Sequence, residues 1–159
     1  MLMRHPCAAA SPSVNWHHHL IDTPEALRAL LQRTRRIAVL GIKTEAQRTQ
    51  PAWYVPAYLL AAGFELLPVP VYYPEVTQIL GQPVYRRLVD IPGPVDLVDV
   101  FRRPVDLPTH VEALLAARPR AVWFQQGIRH DAVAETLARA GIDVVQDRCL
   151  MVEHRALCA

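Results

Sequence analysis

Arg35-Arg36-Ile37-Ala38-Val39-Leu40-Gly41 sets the architecture of this chain, because a short apolar run there stops at a glycine. A polar segment continues to Gln50, and Pro51 then opens an apolar, helix-like run that ends at Gly63. The pattern predicts a strand, a loop and a helix in that order. In an α/β sheet, the first such turn commonly holds the phosphates of a nucleotide. The turn has one glycine where G-x-G-x-x-G has three, so the usual dinucleotide fingerprint is absent.

The composition is that of a single globular domain. The chain has 159 residues, of which 52% are apolar and 20% are charged, so it can bury a substantial core. A formal net charge of +2 is too small by itself to indicate a nucleic-acid partner. No apolar run approaches the roughly 20 residues that span a bilayer. Cys7, Cys149 and Cys158 fit no zinc spacing and indicate reduced thiols in a cytoplasmic protein. We therefore expect neither nucleic acid nor a membrane as a partner.

The first twenty residues form a separate segment. Residues 1–20 lack a basic start followed by an apolar core, so they do not resemble a signal peptide. Three consecutive histidines, His17-His18-His19, could bind a metal, but a loose leader on the surface is the preferred interpretation. The folded domain is predicted to cover residues 21–159, and Thr23-Pro24 has the capping residue and proline that begin a helix.

Strand-like and helix-like segments alternate along the domain. The predicted strands cover residues 36–40, 64–69, 84–85, 95–101, 121–124 and 142–145, and the predicted helices cover residues 24–33, 51–62, 107–117 and 131–140. This alternation predicts an α/β fold with a single doubly wound, mainly parallel sheet. Counting the strands along the chain, the expected order in the sheet is 3-2-1-4-5-6. The order reverses between the first and fourth strands, and ligands bind beyond the carboxyl ends of strands at such a point.

Cationic side chains follow the carboxyl ends of four predicted strands. They are Lys43, Arg48, Arg102, Arg103, Arg129 and Arg148. Because parallel strands end at one edge of the sheet, this distribution favours a polyanionic ligand there. The free backbone N–H groups at the start of the helix after Gln50 would add to the attraction. The alternative is that these are ordinary solvated surface cations.

Three further segments carry a family resemblance. They are PVDLVDVFRRP (94–104), VWFQQGIR (122–129) and DRCLMVEH (147–154). On these segments the chain resembles the small stand-alone coenzyme A-binding proteins, over about residues 22–157. Their Rossmann-like domain is similar to the N-terminal domain of the succinyl-CoA synthetase α subunit. The resemblance implies that the cofactor is coenzyme A or an acyl-CoA, bound at the carboxyl edge of the sheet.

The resemblance also implies which residues hold the ligand. The phosphates would be held by Gly41, Ile42, Lys43 and Arg48, and the adenine or its ribose phosphate would lie against Val69, Pro70 and Tyr72. Phe101 and Arg102 would line the middle of the groove, and Gln125, Gln126 and Gly127 would lie near the pantetheine arm, with Arg129 beside them. Succinyl-CoA synthetase needs a phosphorylated histidine from a further domain, so the resemblance implies a carrier or sensor without its own catalysis.

Two other functions stay open. An NAD(P)-binding enzyme or redox sensor is the first, although the single-glycine turn and the absence of an acid after Val69 count against it. A protein-interaction module is the second, with the pairs Trp53-Tyr54 and Tyr72-Tyr73 as anchors. No protein partner can be named from the sequence.

Two groups of residues could have a catalytic role. Cys149, beside Arg148, could form a mixed disulfide with the thiol of the cofactor, whereas an inert buried cysteine is preferred. Glu153 and His154 could act together as a base and its orienting group, whereas a capped surface helix is preferred. We therefore predict no catalytic residue and no metal ligand.

Overall fold

A five-stranded parallel sheet forms the centre of the computed structural model, which describes residues 15–159. The strands are β1 (Arg36–Leu40), β2 (Glu65–Val69), β3 (Gln78–Ile79), β4 (Gln82–Pro83), β5 (Leu97–Val100), β6 (Ala121–Phe124) and β7 (Asp143–Val145). The helices are α1 (Pro24–Gln32), α2 (Pro51–Ala61), α3 (Val111–Ala117), α4 (Asp131–Arg139) and α5 (Leu150–Leu157). Short 3₁₀ helices cover Trp16–His19, Glu45–Gln47, Leu88–Asp90 and Pro104–His110.

The strands lie in the order β2-β1-β5-β6-β7, and every neighbouring pair is parallel. The chain therefore winds outward from β1 in one direction and from β5 in the other. This arrangement confirms the predicted doubly wound α/β fold, with the reversal point between β1 and β5. It also places the carboxyl ends of all five strands at one edge.

The predicted third strand is wrong. Val84 and Tyr85 do not join the large sheet, and the residues before them form a separate two-stranded antiparallel ribbon, β3-β4. One hydrogen bond remains beside β2, from the Tyr85 N–H to the carbonyl of Pro68 at 2.8 Å. In a strand, the N–H and C=O of one residue point to the same side, so Pro68 presents a carbonyl but no donor on this outer edge. The order therefore starts at β2.

Helices cover both faces of the sheet because its strands are apolar on both sides. Ile37 and Val39 of β1 point to the layer of α1, α2 and α5, whereas Ala38 and Leu40 point to the layer of α3 and α4. In α1, three leucines at helical spacing are buried against the first layer, and the Thr23 side chain accepts a hydrogen bond from the Ala26 N–H as its cap.

The chain before α1 also contacts the domain. Leu20 forms a β-bridge with Val144, and His19 Nδ1 lies 2.7 Å from a carboxylate oxygen of Asp143. The Arg139 guanidinium lies 5.0 Å from the centre of the Trp16 ring. The predicted leader, residues 1–20, thus overlaps the described chain in its last six residues, which lie against β7 and α4. Its remainder, with Cys7, lies outside the described residues.

Candidate ligand-binding site

At the reversal point of the sheet, the backbone of Gly41 lies very close to the residues that end β2 and follow β5. Its N–H donates to the carbonyl of Val69 at 2.9 Å, and the Phe101 N–H donates to the carbonyl of Leu40 at 2.9 Å. Gly41 has φ +86°, and a Cβ built there would lie 2.3 Å from the carbonyl oxygen of Phe101. Only glycine fits this position without a backbone shift. The three strands β2, β1 and β5 therefore meet at the centre of the edge.

The Arg102 side chain crosses this centre. Its Cδ would lie 3.1 Å from a Cβ at Gly41, and its guanidinium lies 5.5 Å from the centre of the Tyr72 ring. Arg102 Nε donates to His110 Nε2 at 3.2 Å, and Nη2 lies 3.5 Å from Asp106. The side chain is only 14% exposed. A cation is thus held in one orientation between the loops that follow β2 and β5, with a long ion pair that leaves it able to bind an anion.

His110 is held as a neutral acceptor for Arg102. Burial lowers the pKa of His110, and the Arg102 charge lowers it further, whereas Asp106 opposes both effects. A neutral imidazole can accept the hydrogen bond from Arg102 Nε at Nε2. The histidine therefore orients the guanidinium without adding a second positive charge at neutral pH.

A cleft of about 910 Å³ opens beside Arg102, on the α3 side of the sheet. We call it the first cleft. Its walls are the loop after β2, the segment around Leu88 and the start of α3. They contribute Leu40, Val69, Pro70, Val71, Tyr72, Tyr73, Pro74, Arg86, Arg87, Leu88, Val89, Thr109, His110, Glu112, Ala113 and Ala116. The lining is mostly apolar and aromatic, with two arginines, which is the composition of a small-molecule site.

The two arginines of the first cleft have different roles. Arg86 donates hydrogen bonds to backbone carbonyls of the loop after β2, including Tyr73 at 3.0 Å and Pro74 at 3.2 Å. It holds a strained loop, since Tyr73 has φ +64°, which is unfavourable for an aromatic residue. Arg87 is exposed and pairs with Asp90 at 2.8 Å. Neither arginine is among the predicted site residues, although both directly follow the predicted third strand in the sequence.

A second cleft of about 560 Å³ lies at the ends of β6 and β7. It is lined by Asp22, Gln126, Arg129, Gln146, Asp147, Arg148, Cys149, Val152 and Glu153. Its cations are paired, because Arg129 lies 3.1 Å from Asp131 and Arg148 lies 3.1 Å from Glu153. The Gly127 N–H donates to Asp147 at 2.6 Å, which fixes the turn after β6. This cleft is polar, whereas the first cleft is mostly apolar.

Asp99 and Gln125 form a buried polar pair beneath the edge. Gln125 Nε2 donates to Asp99 Oδ1 at 2.6 Å, and the two residues are 4% and 0% exposed, respectively. Burial raises the pKa of Asp99 to about 8, and the hydrogen bond from Gln125 opposes this only in part. Sequence reasoning took the strand around Asp99 as an apolar run and gave the acid no role. The signal was present, since a lone acid inside LVDV cannot avoid burial.

The structure brings only some of the predicted site residues together. Val69, Pro70 and Tyr72 line the first cleft, with Gly41 and Arg102 at its border, whereas Gln126 and Arg129 line the second cleft, with Gly127 in the adjoining turn. Phe101 is half-buried at the centre. The Ile42 side chain is 1% exposed in the core, and Gln125 is buried on Asp99. Lys43 and Arg48, on the loop after β1, line neither cleft.

The candidate catalytic and interface groups have separate environments. Glu153 pairs with Arg148, whereas His154 Nδ1 lies 2.8 Å from the Tyr58 hydroxyl, so the two do not act as one pair. Cys149 is half-buried and free. Of the aromatic pairs, Tyr72 is the most exposed, at 60%. Residues 15–159 gather no cluster of three or more metal-binding side chains, and none of their helices is long and apolar enough to cross a membrane.

Known proteins are similar to this chain in sequence and in fold. The sequence model of the CoA binding domain family matches residues 35–155. A Bacillus subtilis protein, uncharacterized protein YneT, is 34% identical over 128 residues, which are 80% of this chain and 91% of that protein.

Two solved structures have the same architecture. Cell-free ID.343 from Thermus thermophilus has a TM-score of 0.78 and 43% identity, and covers 86% of this chain and 99% of its own. A hypothetical protein from Pyrococcus horikoshii OT3 has a TM-score of 0.77 and 31% identity, and covers 87% and 94%, respectively.

Proposed function

The chain belongs to the CoA-binding domain family, and we propose that it binds coenzyme A or an acyl-CoA along the carboxyl edge of its sheet, as a carrier or sensor without catalysis of its own. The observation that carries this proposal is the Arg102 side chain, held over Gly41 between the loops that follow β2 and β5. A guanidinium at the reversal point is suited to the diphosphate of a nucleotide cofactor.

The first cleft fits the adenine nucleotide end of the ligand. Its volume of about 910 Å³ lies within the range of small-molecule sites, which is roughly 300–1,000 Å³. Tyr72 offers an aromatic ring at the border with Arg102, and Val69 and Pro70 offer an apolar wall. The exposed Arg87 at the rim would provide a cation for the 3′-phosphate if that phosphate displaced Asp90, its partner at 2.8 Å.

The other end of the ligand would extend toward β6. The pantetheine arm carries two amides, which need donors and acceptors more than charge. Gln126 is exposed at the second cleft, and Gln125 lies beside it at the end of β6. These carboxamides support an arm that leaves the diphosphate at Arg102 and runs along the edge.

A binding role without catalysis is also supported by the ion pairs that arginines form with three carboxylates at this edge. Asp106 pairs with Arg103 at 2.8 Å, Asp131 with Arg129 at 3.1 Å, and Glu153 with Arg148 at 3.1 Å. Arg103 holds the pKa of Asp106 below its usual range. A carboxylate held ionised by an arginine is a poor general base at neutral pH.

Isothermal titration of the full chain with coenzyme A, acetyl-CoA and NAD tests the proposal. We expect both the free thiol, coenzyme A, and its thioester, acetyl-CoA, to bind, and NAD not to compete. Arg102→Met should weaken binding by about 10- to 100-fold, the equivalent of one charge-assisted contact. Arg120→Met is the matched control, because Arg120 is exposed at the opposite end of β6. Absence of binding to coenzyme A at millimolar concentration, or tighter binding of NAD, would refute the proposal.

A further inference from the structure

Asp99 is buried at a cost that packing alone does not explain. It lies in β5 between Val39 and Trp123 of the neighbouring strands and is 0% exposed. Its Oδ1 accepts one hydrogen bond, from Gln125 Nε2, whereas its Oδ2 has no partner among residues 15–159. A buried polar atom without a partner is destabilising, and an apolar residue of the same shape would avoid that penalty. Such an acid suggests a functional constraint at its partner.

The partner lies at the ligand-binding edge. Gln125 directly follows Phe124, the last residue of β6, and Phe101 follows the last residue of β5. In the register of these strands Asp99 pairs with Trp123, so Gln125 stands two positions nearer the carboxyl edge than Asp99. The Gln125 side chain reaches back from the edge to the acid, with the donor nitrogen pointing inward.

The outer end of the Gln125 carboxamide makes no hydrogen bond within residues 15–159, although the residue is only 4% exposed. Within residues 15–159, the fully buried side-chain atoms without a partner are Trp53 Nε1 and Asp99 Oδ2, and Gln125 Oε1 is not among them. A glutamine amide can turn over, exchanging its donor and acceptor ends, unless a neighbour fixes it. Because the raised pKa of Asp99 keeps its carboxyl protonated at neutral pH, that carboxyl can pair with either end of the amide; in the structure Nε2 faces Asp99, which leaves Oε1 as the outer end.

We propose that Asp99 is a positioning residue that holds the Gln125 carboxamide in place, so that the outer end of that amide forms a hydrogen bond with an amide group of the pantetheine arm. This inference rests on the proposed function, since it assigns one contact within that site. Asp99 itself does not touch the ligand. Asp99 therefore raises the affinity only for ligands that carry the pantetheine arm, and it does not change the affinity for the adenine nucleotide alone.

Two variants of Asp99 separate this role from a structural one. Asp99→Asn keeps an acceptor for Gln125 Nε2, whereas Asp99→Leu keeps the branched shape and removes the acceptor. Each is titrated with coenzyme A and with adenosine 3′-phosphate 5′-diphosphate, which lacks the arm. For Asp99→Leu we expect coenzyme A affinity to fall about tenfold, the value of one hydrogen bond, and affinity for the nucleotide to stay within about twofold. For Asp99→Asn we expect both affinities to stay within about twofold of the wild type.

Gln125→Met provides the second arm of a double-mutant cycle. Because Asp99 is proposed to act through Gln125, the double variant Asp99→Leu/Gln125→Met should lose no more coenzyme A affinity than Gln125→Met alone. Equal losses for both ligands, additive losses in the cycle, or an unchanged affinity of Asp99→Leu for coenzyme A would overturn the positioning role. If the wild-type chain binds the nucleotide and coenzyme A equally well, the positioning role alone fails. If it binds neither, the proposed function fails with it.

Discussion

Replacing the buried acid Asp99 by asparagine should make the protein more stable than the wild type. The difference in the free energy of unfolding should grow as pH rises. Burial raises the pKa of Asp99 from 3.8 to about 8 in the folded chain. In the unfolded chain the group titrates near its ordinary value, about 3.9. Between these two values the unfolded chain has lost the proton that the folded chain still holds. Wild-type stability is therefore fully present below about pH 4 and is lost progressively as pH rises to about 8.

The size of the effect follows from the gap between the two pKa values. Each unit is worth about 1.4 kcal/mol, so a gap of about four units gives an upper limit near 5 kcal/mol at pH 8. Asp99→Asn removes the titration and keeps the acceptor for Gln125 Nε2. We expect the variant to match the wild type near pH 4, where protonated Asp99 and the Asn amide each leave a donor unpaired, and to exceed it by up to about 5 kcal/mol at pH 8.

Urea unfolding at a series of pH values from 4 to 8 measures this difference as the free energy of unfolding. Glu75→Gln is the matched control, because Glu75 is an exposed acid on the loop after β2. Its curve should run parallel to that of the wild type. If the Asp99→Asn curve also runs parallel to the wild type across the range, Asp99 is ionised in the folded chain and the reasoning from burial is refuted.

Three further substitutions test the local geometry, each by urea unfolding. Gly41→Ala should cost about 3 kcal/mol, because a Cβ would lie 2.3 Å from a neighbouring carbonyl oxygen at φ +86°; a loss under about 1 kcal/mol would contradict that contact. Arg118→Gly should gain about 1 kcal/mol, since Arg118 ends α3 with φ +49°, and a loss would contradict the assigned strain. Burial lowers the pKa of His154, so stability should fall as pH drops below about 6.5. His154→Phe should reduce this fall, and an equal fall in both proteins would show that His154 is not responsible.

The sheet could be predicted from the sequence because its signals are local. The run from Ile37 to Leu40 and its stop at Gly41 match β1, and the start of α2 at Pro51 matches as well. The reversal point follows from the alternation of strands and helices. The third strand could not be placed in the same way. Val84 and Tyr85 do not pair as a strand with β2, because Pro68 has no N–H to donate on the side of β2 that faces them. That side is set by the pairing of β2 with β1, which the local sequence does not show.

The site was harder to predict than the fold because side-chain pairing is not local. Counting cations after strands points to Arg102, but it cannot show that this guanidinium contacts Tyr72 and His110. It also missed Arg86 and Arg87, which reach the edge from a segment outside the sheet. The first cleft is built largely from that segment and from the loop after β2, where proline-rich sequence carries no periodic signal.

The pairing of the cations also changes the expected source of affinity. Arg103, Arg129 and Arg148 each have a carboxylate partner within five residues along the chain, so a phosphate group would have to displace Asp106, Asp131 or Glu153 to use them. Exposed pairs of this kind are worth little either way, about 0–1 kcal/mol each. Arg102 differs, because it is largely buried, oriented by His110 and only weakly paired. For the proposed ligand, we therefore expect a single desolvated guanidinium at the reversal point to matter more for phosphate recognition than the number of cations at the edge. For the same reason, we expect the remaining affinity for the proposed ligand to come from the apolar walls of the first cleft and from the carboxamides at the end of β6.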